Sequence, residues 1–543
     1  MEQEEKSTYK IIQPLMLSTC IAVGMMVGYK MNSKPDNSLV STLDYPADSI
    51  LMTGRVEELI RFVENKYVDK VDSDQLIAEA LNGVFSKLDP HSLYLTPEET
   101  QNVNEQMDGA YNGIGIENFM IDDTVYISNV LKNTPAEKAG LQTFDRIISI
   151  DGVNVSGQKL DYENIRSLLK KQPGNNVKLA INRDTKKLII DLTISEVEVK
   201  TVKAALLKDI KTLLIKIDRF GDNTYKEFMD EVEKYFTKNE AQHLILDLRD
   251  NPGGFLPEAT NILCQIFAEK DRLLLYTEGR NNKKNEYKTN GKRFFDIDQV
   301  VVLIDENSAS ASEIIAGAIQ DWDRGVIIGR RSYGKGLVQE QYNLTNGGAI
   351  RLTVARYFTP SGRCIQRDYS DREVYDHDYQ DRQQNGDLFN KDSTLIKNGG
   401  KYFTQLLKRE VSGSGGITPD VFISMDTLYR DKFYFSVSYL LPEFAFRYTS
   451  KYRKSIPLDV KSFASWELPD NCYKEFETFL KADNDESSNI SAESFNNLKK
   501  EIKNHIRKFL FDKNGFSSDP KSDLFVAKAI DVIKNKITAA NYK

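Results

Sequence analysis

Three side chains in this sequence could together perform nucleophilic chemistry. Ser310 follows an apolar run, Val300-Val301-Val302-Leu303-Ile304, and then the small residues Ser308 and Ala309. Lys335 and Gln339 follow a second apolar run, Val326-Ile327-Ile328-Gly329. A serine hydroxyl attacks a carbonyl efficiently when a base takes its proton, and lysine is that base only when burial lowers its pKa toward neutrality. Gly334 and Gly336 flank Lys335 and let the backbone come close. In an extended segment side chains alternate, so Lys335 and Gln339 share a face and Gln339 can orient the lysine by hydrogen bonding.

Two plainer readings of the same residues stand beside this one. Ser310-x-x-Glu313 fits the capping box, in which the serine merely satisfies the first turn of a helix beginning near Ile314. Gly329-x4-Gly334-Lys335 resembles a phosphate loop, but Gly336 stands where that loop needs Ser or Thr. The residues after it, Leu337-Val338-Gln339-Glu340-Gln341-Tyr342, suit a strand better than the required helix.

The elements that would position these groups are strands turning into helices. Val300–Ile304 is short and β-branched, as buried strands are. A strand entering a helix through small residues leaves N–H groups unpaired beside the positive end of the helix dipole, where developing negative charge is favoured. Leu244-Ile245-Leu246-Asp247-Leu248-Arg249-Asp250-Asn251-Pro252-Gly253-Gly254 repeats the theme of a buried strand entering a glycine turn. Leu213–Ile217 reads as another strand and Thr224–Phe236 as an amphipathic helix, so the region from Leu213 to Ile328 alternates β and α, with the site at strand ends.

Ser308-Ala309-Ser310-Ala311-Ser312-Glu313-Ile314, followed by Tyr333-Gly334-Lys335-Gly336-Leu337-Val338-Gln339, resembles the carboxy-terminal processing (tail-specific) peptidases, S41-type serine endopeptidases with a PDZ domain. The resemblance implies Ser310 as nucleophile, Lys335 as general base and Gln339 as the partner of the lysine. It implies an oxyanion hole made by the backbone N–H of Ala311 and of a glycine in the Gly253-Gly254 pair, taken as Gly254. Asp247 and Arg249 read as a structural ion pair. Leu352–Arg363 and Gly416–Val421 also match the family, so the resemblance runs from about Val56 to Asp420.

A PDZ domain is expected over residues 106–197, from Tyr111-Asn112-Gly113-Ile114-Gly115-Ile116, Pro135-Ala136-Glu137-Lys138-Ala139-Gly140-Leu141 and Asp145–Gly152 in succession. Its glycine-rich turn, Gly113, Ile114, Gly115 and Ile116, would capture a terminal carboxylate while the adjacent strand edge pairs with the peptide. Phe144 departs from the family pattern, which has glycine there. Asp89-Pro90-His91-Ser92 resembles a passage found before the PDZ domain in this family, with His91 structural rather than catalytic.

The 543 residues exceed one core, and hydrophobic and charged shares of 40% and 28% are those of an ordinary globular protein. A net charge of -7 gives no pull toward nucleic acid. The four cysteines, Cys20, Cys264, Cys364 and Cys472, lie far apart without ligand spacing, so no zinc site or disulfide framework is indicated. No metal or organic cofactor is implied. Only four histidines are present, His91, His243, His377 and His505, none within a triad-like motif.

Ile11–Tyr29, between Lys10 and Lys30, is apolar over nearly the ~20 residues that span a bilayer, and no small-x-small cleavage site follows it. The expected organisation is a signal anchor (1–31), a linker (32–50), an N-terminal helical region (51–105), the PDZ domain (106–197), the serine protease core (198–425) and a helical C-terminal extension (426–543). The fold class expected is an α/β protease core of ClpP/crotonase-like β-α-β sheet with an inserted PDZ domain. Such a protein would sit in the bacterial cell envelope, anchored in the inner membrane with its catalytic part in the periplasm. It would cut protein or peptide substrates bound by their carboxyl tails. An adaptor or activating protein and a homo-oligomer are further partners this organisation accommodates. Asp368–Gln384, dense in charge and tyrosine, reads as an exposed insertion. In the extension, Phe495, Leu498, Ile502, Ile506, Phe509 and Leu510, then Leu524, Ala527, Ile530 and Ile533, describe buried helix faces that either cover the core or mediate self-association. A PDZ scaffold with a dead protease fold and a nucleotide-binding enzyme are the rival functions.

Overall fold

The computed structural model describes residues 50–390, 400–425, 437–482, 492–511 and 523–542. The apolar segment Ile11–Tyr29 and the linker expected to precede Ile50 lie outside them; no helix among the described residues is long and apolar enough to cross a membrane. The chain forms two compact units, Met1–Leu81 and Asn82–Lys543. In the first, the patterned stretch forms helix Ile50–Lys66, with Val56 and Leu59 exposed.

The second unit is built on a six-stranded sheet. Its strands are β1 (Val202–Leu207), β2 (Thr212–Ile217), β3 (His243–Asp247), β4 (Val300–Ile304), β5 (Val326–Gly329) and, beyond a second sheet, β8 (Val421–Phe422). β1 runs antiparallel to β2; β2, β3, β4, β5 and β8 pair in parallel in that order, with Leu213 opposite Leu244, Leu244 opposite Val300 and Val302 opposite Ile327. The helices α1 (Thr224–Phe236), α2 (Leu256–Ile266) and α3 (Ala311–Asp321) connect the central strands. Their apolar faces close over Val300, Val302, Ile304, Leu244 and Leu246 in one core.

β4 is apolar at every position because both its faces are covered. Val301 and Leu303 point away from the connecting helices, into a cluster with Leu214, Ile245 and Ile328. What covers that second face comes from the far end of the chain. Of the two fates open to the extension, one part takes the first: α8 (Leu524–Lys534) lays Val526, Ala529, Ile530 and Ile533 on the sheet. Of the face expected from periodicity, Ile530 and Ile533 are buried, whereas Leu524 is exposed and Ala527 half-buried.

A second sheet carries β6 (Leu337–Asn343) and β7 (Ala349–Phe358), with Leu93–Leu95 on the other side of β7. The stretch expected to be an exposed insertion is exposed over most of its length, and two of its side chains turn inward. It forms α4 (Arg372–Asp376) and α5 (Asp378–Gln384), and Tyr375 and Arg382 are each 4% exposed. A charged, tyrosine-rich sequence looks like surface, but paired arginines and hydrogen-bonded tyrosines are the polar residues that can be buried.

Residues 116–193 form the six-stranded PDZ-like sheet, ordered Ile116–Ile121, Thr124–Val130, Arg146–Ile150, Asn176–Arg183 and Lys186–Thr193, with Val153–Asn154 paired to Arg146–Ile150, so that Ile116–Ile121 is an edge. Phe144 adopts φ 75°, the left-handed region where glycine is at ease. Its ring explains why a large residue is held there. It stacks on Phe446, with centroids 4.8 Å apart, from α6 (Leu441–Tyr452) of the helical extension. Phe446 also meets Phe119 at 5.2 Å, Tyr126 at 6.2 Å, and Phe509 of α7 (Ala492–Leu510) at 5.2 Å. Arg447 pairs with Asp122 beside them. Along α7 the buried face is Phe495, Leu498, Ile502 and Ile506, as its spacing indicated.

Phe446 is fully buried. Phe446→Ala is expected to cost about 3–5 kcal/mol, as large core truncations do. Because the lost contacts bridge two regions, hydrogen exchange should rise in Ile116–Val130 and in α6 while β3 and β4 stay protected. Uniform exchange across all of them would contradict this bridging role.

Candidate functional site

The site forms where β4, β3 and β5 end. Ser310 is the residue before α3 and takes φ 53°, a strained conformation for a residue with a side chain. Strand β4 delivers three serines close together, and burial separates them. Ser308 and Ser312 are fully buried, and their hydroxyls donate to backbone carbonyls, Ser308 Oγ to Leu248 O at 2.8 Å and Ser312 Oγ to Asn251 O at 3.1 Å. Ser310 alone of the three is partly exposed.

The glycine turn after β3 lies directly against Ser310. A Cβ on Gly253 would stand 2.7 Å from Ser310 Cβ and 3.0 Å from Ala311 N, so only glycine fits there. Asn251 shapes the turn, its Nδ2 donating to Ile217 O at 2.8 Å and its Oδ1 accepting from Gly253 N at 2.8 Å. Gly253 N–H is thereby occupied. Gly254 pairs with Phe220 only through its neighbours, Phe220 N donating to Gly253 O and Phe255 N to Phe220 O. The N–H groups of Gly254 and Ala311 meet no acceptor among the described residues.

Lys335 lies in the loop between β5 and β6. Its Nζ donates to Gln339 Oε1 at 3.0 Å, and Gln339 Nε2 donates to His91 O at 2.6 Å. This strand-like pairing of Lys335 and Gln339 agrees with the alternation of side chains. Burial holds the lysine pKa below its ordinary value, with the Arg351 charge acting in the same direction. The Asp89-Pro90-His91-Ser92 turn does more than reverse the chain. Asp89 Oδ1 accepts from His91 N and Ser92 N, each at 2.9 Å, and from Thr353 Oγ1 on β7 at 3.1 Å. The turn thus pins the carbonyl that holds Gln339. His91 is pushed down to about 4, chiefly by burial, so its ring is neutral at neutral pH.

Ser310 Oγ and Lys335 Nζ are not hydrogen-bonded to each other in this structure. Their backbones are joined through Glu313. Its Oε2 accepts from Ser310 N at 2.9 Å and from Lys335 N at 2.8 Å. Its Oε1 accepts from Ser332 Oγ at 2.5 Å and from Gly334 N at 2.7 Å. Fully buried, the carboxyl is pushed up to about 7 by desolvation, against four hydrogen bonds that favour the anion. The capping motif disclosed only the bond to Ser310 N. The three bonds to the Lys335 loop have no signal in local sequence.

Asp247 and Arg249 form the ion pair at 2.6 Å, and Arg249 also reaches Asp523 at the start of α8 at 2.9 Å. In the PDZ-like region Gly113 ends a strand and Ile116 begins the edge strand, with Ile114 and Gly115 between them. Gly115 has φ +85°, and a Cβ there would lie 2.3 Å from Thr134 Cβ. The N–H groups of Ile114 and Gly115 meet no acceptor among the described residues.

The chain matches Peptidase family S41 over residues 211–374 and a PDZ domain over residues 112–194. It is 35% identical over 320 residues to a carboxy-terminal-processing protease of Bartonella bacilliformis, covering 58% of this chain and 72% of that protein. The chain belongs to peptidase family S41. It is also 33% identical over 321 residues to the carboxy-terminal processing protease CtpB of Bacillus subtilis, covering 58% of this chain and 65% of that protein. A solved photosystem II D1 C-terminal processing protease aligns at 24% identity with a TM-score of 0.34, over 59% of this chain and 90% of that one. The S41 match contains Ser310, Lys335, Gln339 and Glu313, whereas α6, α7 and α8 lie beyond it.

Within this S41 site, Glu313→Gln tests the bridging carboxylate. The amide can offer one acceptor, and its NH2 would face donors, leaving buried N–H groups unpaired at about 1–3 kcal/mol each. The expected result is a lowered melting temperature together with loss of any activity that needs Ser310 and Lys335 in register. A variant as stable and active as the parent would show that the bridge is dispensable.

Proposed function

We propose that this S41 chain is a serine endopeptidase with a Ser310/Lys335 dyad that docks the carboxyl tail of a protein substrate on its PDZ domain. The observation that carries the reading is the sharing of one Glu313 oxygen by the backbone N–H groups of Ser310 and Lys335. Two loops that are distant in sequence are thereby fixed at one point, with a buried lysine on one and the exposed member of three serines on the other.

The neutral Lys335 amine takes the Ser310 Oγ proton as Oγ attacks the scissile carbonyl. The carbonyl oxygen, now negative, is held by the N–H groups of Ala311 and Gly254, which meet no other acceptor among the described residues. The Lys335 ammonium returns its proton to the leaving nitrogen as the C–N bond breaks, leaving an ester on Ser310 and releasing the amine product. A water then attacks the ester with Lys335 again as base, and the ester C–O bond breaks as the proton returns to Ser310. Gln339, anchored on His91 O, keeps the lysine aimed. The electron-pair and proton balance closes without a cofactor.

The substrate tail fits the loop Gly113, Ile114, Gly115 and Ile116, where two unpaired N–H groups precede an edge strand that can add one more strand. Docking there can reach the dyad. The PDZ helix Tyr162–Leu169 and the residue after it present Arg166 and Lys170 to Glu105, at 3.4 and 3.1 Å. Next to Glu105, Asn104 Oδ1 accepts from Gln341 on β6 at 3.0 Å, two residues from Gln339. The core strands and crossing helices are consistent with the ClpP/crotonase-like kind of sheet. An anchor at Ile11–Tyr29 would place the enzyme on the inner membrane of a bacterial envelope facing the periplasm, and a partner protein or self-association would act from there.

The test is cleavage of an unstructured protein by the full-length chain, compared with Ser310→Ala and Lys335→Ala. Each variant is expected to lose roughly 10^4-fold or more in kcat/KM, as enzymes do when a nucleophile or base is removed. Because the base works only when neutral, activity should rise with pH along a limb set by Lys335. That limb should lie below the ordinary lysine range, since burial depresses its pKa. Cleavage that persists in both variants, or that falls as pH rises through this limb, would remove the dyad.

A further inference from the structure

Tyr375 of the insertion and Arg367 just before it close a ring of contacts around the base that the chemistry above does not use. Arg367 N donates to Gly334 O at 3.0 Å, beside Lys335. The Arg367 guanidinium lies between two aromatic rings, 3.9 Å from the centroid of Tyr333 and 4.0 Å from that of Tyr375 on α4. Its Nη1 pairs with Asp378 Oδ2 at 2.5 Å. Tyr375 OH hydrogen-bonds His91 Nε2 at 2.8 Å, and His91 O is the acceptor that holds Gln339. Tyr333 N in turn donates to Ser308 O at 3.0 Å, on the nucleophile turn. Lys335, Gln339, His91, Tyr375, Arg367 and Gly334 therefore form a closed circuit.

Each link has a physical function. A guanidinium held between two rings is worth more when desolvated, and Arg367 is 9% exposed. Arg382 fastens the same loop from α5, its Nη2 donating to Arg331 O at 2.6 Å. Asp378, on the same helix, restrains Arg367. The base loop carries Gly334 and Gly336, so its own backbone resists little distortion. Order in Lys335 must come from what surrounds it, Glu313 on one side and the insertion on the other.

We propose that Arg367 and Tyr375 form a clasp that positions the general base, fixing the Gly334-Lys335 backbone directly and the Gln339 amide through His91. The proposal rests on the Ser/Lys reading and names residues that act through Lys335 without touching substrate. A lysine released from this clasp keeps its chemistry but loses alignment, and displacement of a reacting group by even an ångström is costly. It also becomes better hydrated. The charges around it, Arg351 on β7, Glu313 on α3 and Asp89 of the Asp-Pro-His-Ser turn, then act through more water.

The experiment compares Tyr375→Phe, Arg367→Lys and Arg367→Ala in the full-length chain, cleaving an unstructured protein across a pH series. Tyr375→Phe keeps the ring against Arg367 and removes the hydroxyl that bonds His91 and also interacts with Tyr333 and Arg367, so it tests the clasp without emptying it. Expected are falls in kcat of about 10-fold for Tyr375→Phe and about 100-fold for Arg367→Ala, with KM within 2-fold and Arg367→Lys intermediate. The acid limb of kcat should move to higher pH in each. In a Gln339→Ala background, Arg367→Ala should add little, since the two act on one group. With Lys335→Ala inactive, an unchanged kcat and unchanged limb in Tyr375→Phe and Arg367→Ala would overturn the clasp alone. So would the same fold-loss from Arg367→Ala with or without Gln339. Cleavage that survives Lys335→Ala would overturn the Ser/Lys reading itself.

Discussion

One buried carboxylate sets the terms for the rest of this site. A carboxylate removed from water costs several kcal/mol unless its oxygens are fully hydrogen-bonded. Glu313 meets that condition with four donors, one from the Ser310 turn and three from the Lys335 loop. Moving the loops apart would strand the charge, so the penalty for a misassembled site falls on the fold itself. Ser332 strengthens the lock, because its hydroxyl donates to Glu313 and accepts from Ile417 N at 2.6 Å. The loop around the base is thus tied to α3 and to the segment leading into β8.

The turns that meet at Glu313 need a rigid floor, and the central sheet provides it. Covered on both faces, β3, β4 and β5 cannot slide without moving the α1–α3 layer or α8. Arg249 makes the two layers interdependent. It pairs with Asp247 at the end of β3 and with Asp523, whose side chain caps α8, and its guanidinium lies 4.6 Å from the Phe525 ring. The last described helix thereby supports the strand end that carries the Gly253-Gly254 turn.

Legibility in the sequence followed the range of the interactions. The boundaries of α1, β4 and β5 were evident because apolar period, β-branching and glycine punctuation act within a few residues. Ser310, Lys335 and Gln339 were singled out by their likeness to a family motif, since local pattern shows only that they sit at a strand end or at alternate positions of an extended segment. Glu313 was visible only as a cap, since its bond to Ser310 N satisfies a local motif and hides the three distant ones. The Asp-Pro-His-Ser turn showed its shape and not its hold on Thr353 and Gln339. The insertion is mostly exposed, as its composition indicates, and what escaped notice was the inward turn of single side chains in and beside it. Composition reports the polarity of Tyr375, Arg367 and Arg382, whereas their burial depends on partners in other segments.

Phe144 shows how far such distant partners can redirect a local rule. Alone, a phenylalanine at φ 75° is strained by roughly 1–3 kcal/mol relative to glycine. The stack on Phe446 offsets this by burying both rings, and Phe119 and Phe509 extend the layer. The strained turn is therefore stable only while the helical extension is docked, and the extension is docked in part because the turn presents that ring. Phe119 lies on the edge strand Ile116–Ile121, the strand to which an extended peptide would be added. A peptide that twists this edge must also shift the aromatic layer behind it. The helical extension thus packs directly behind this edge strand, through Phe446 and Phe509 against Phe119.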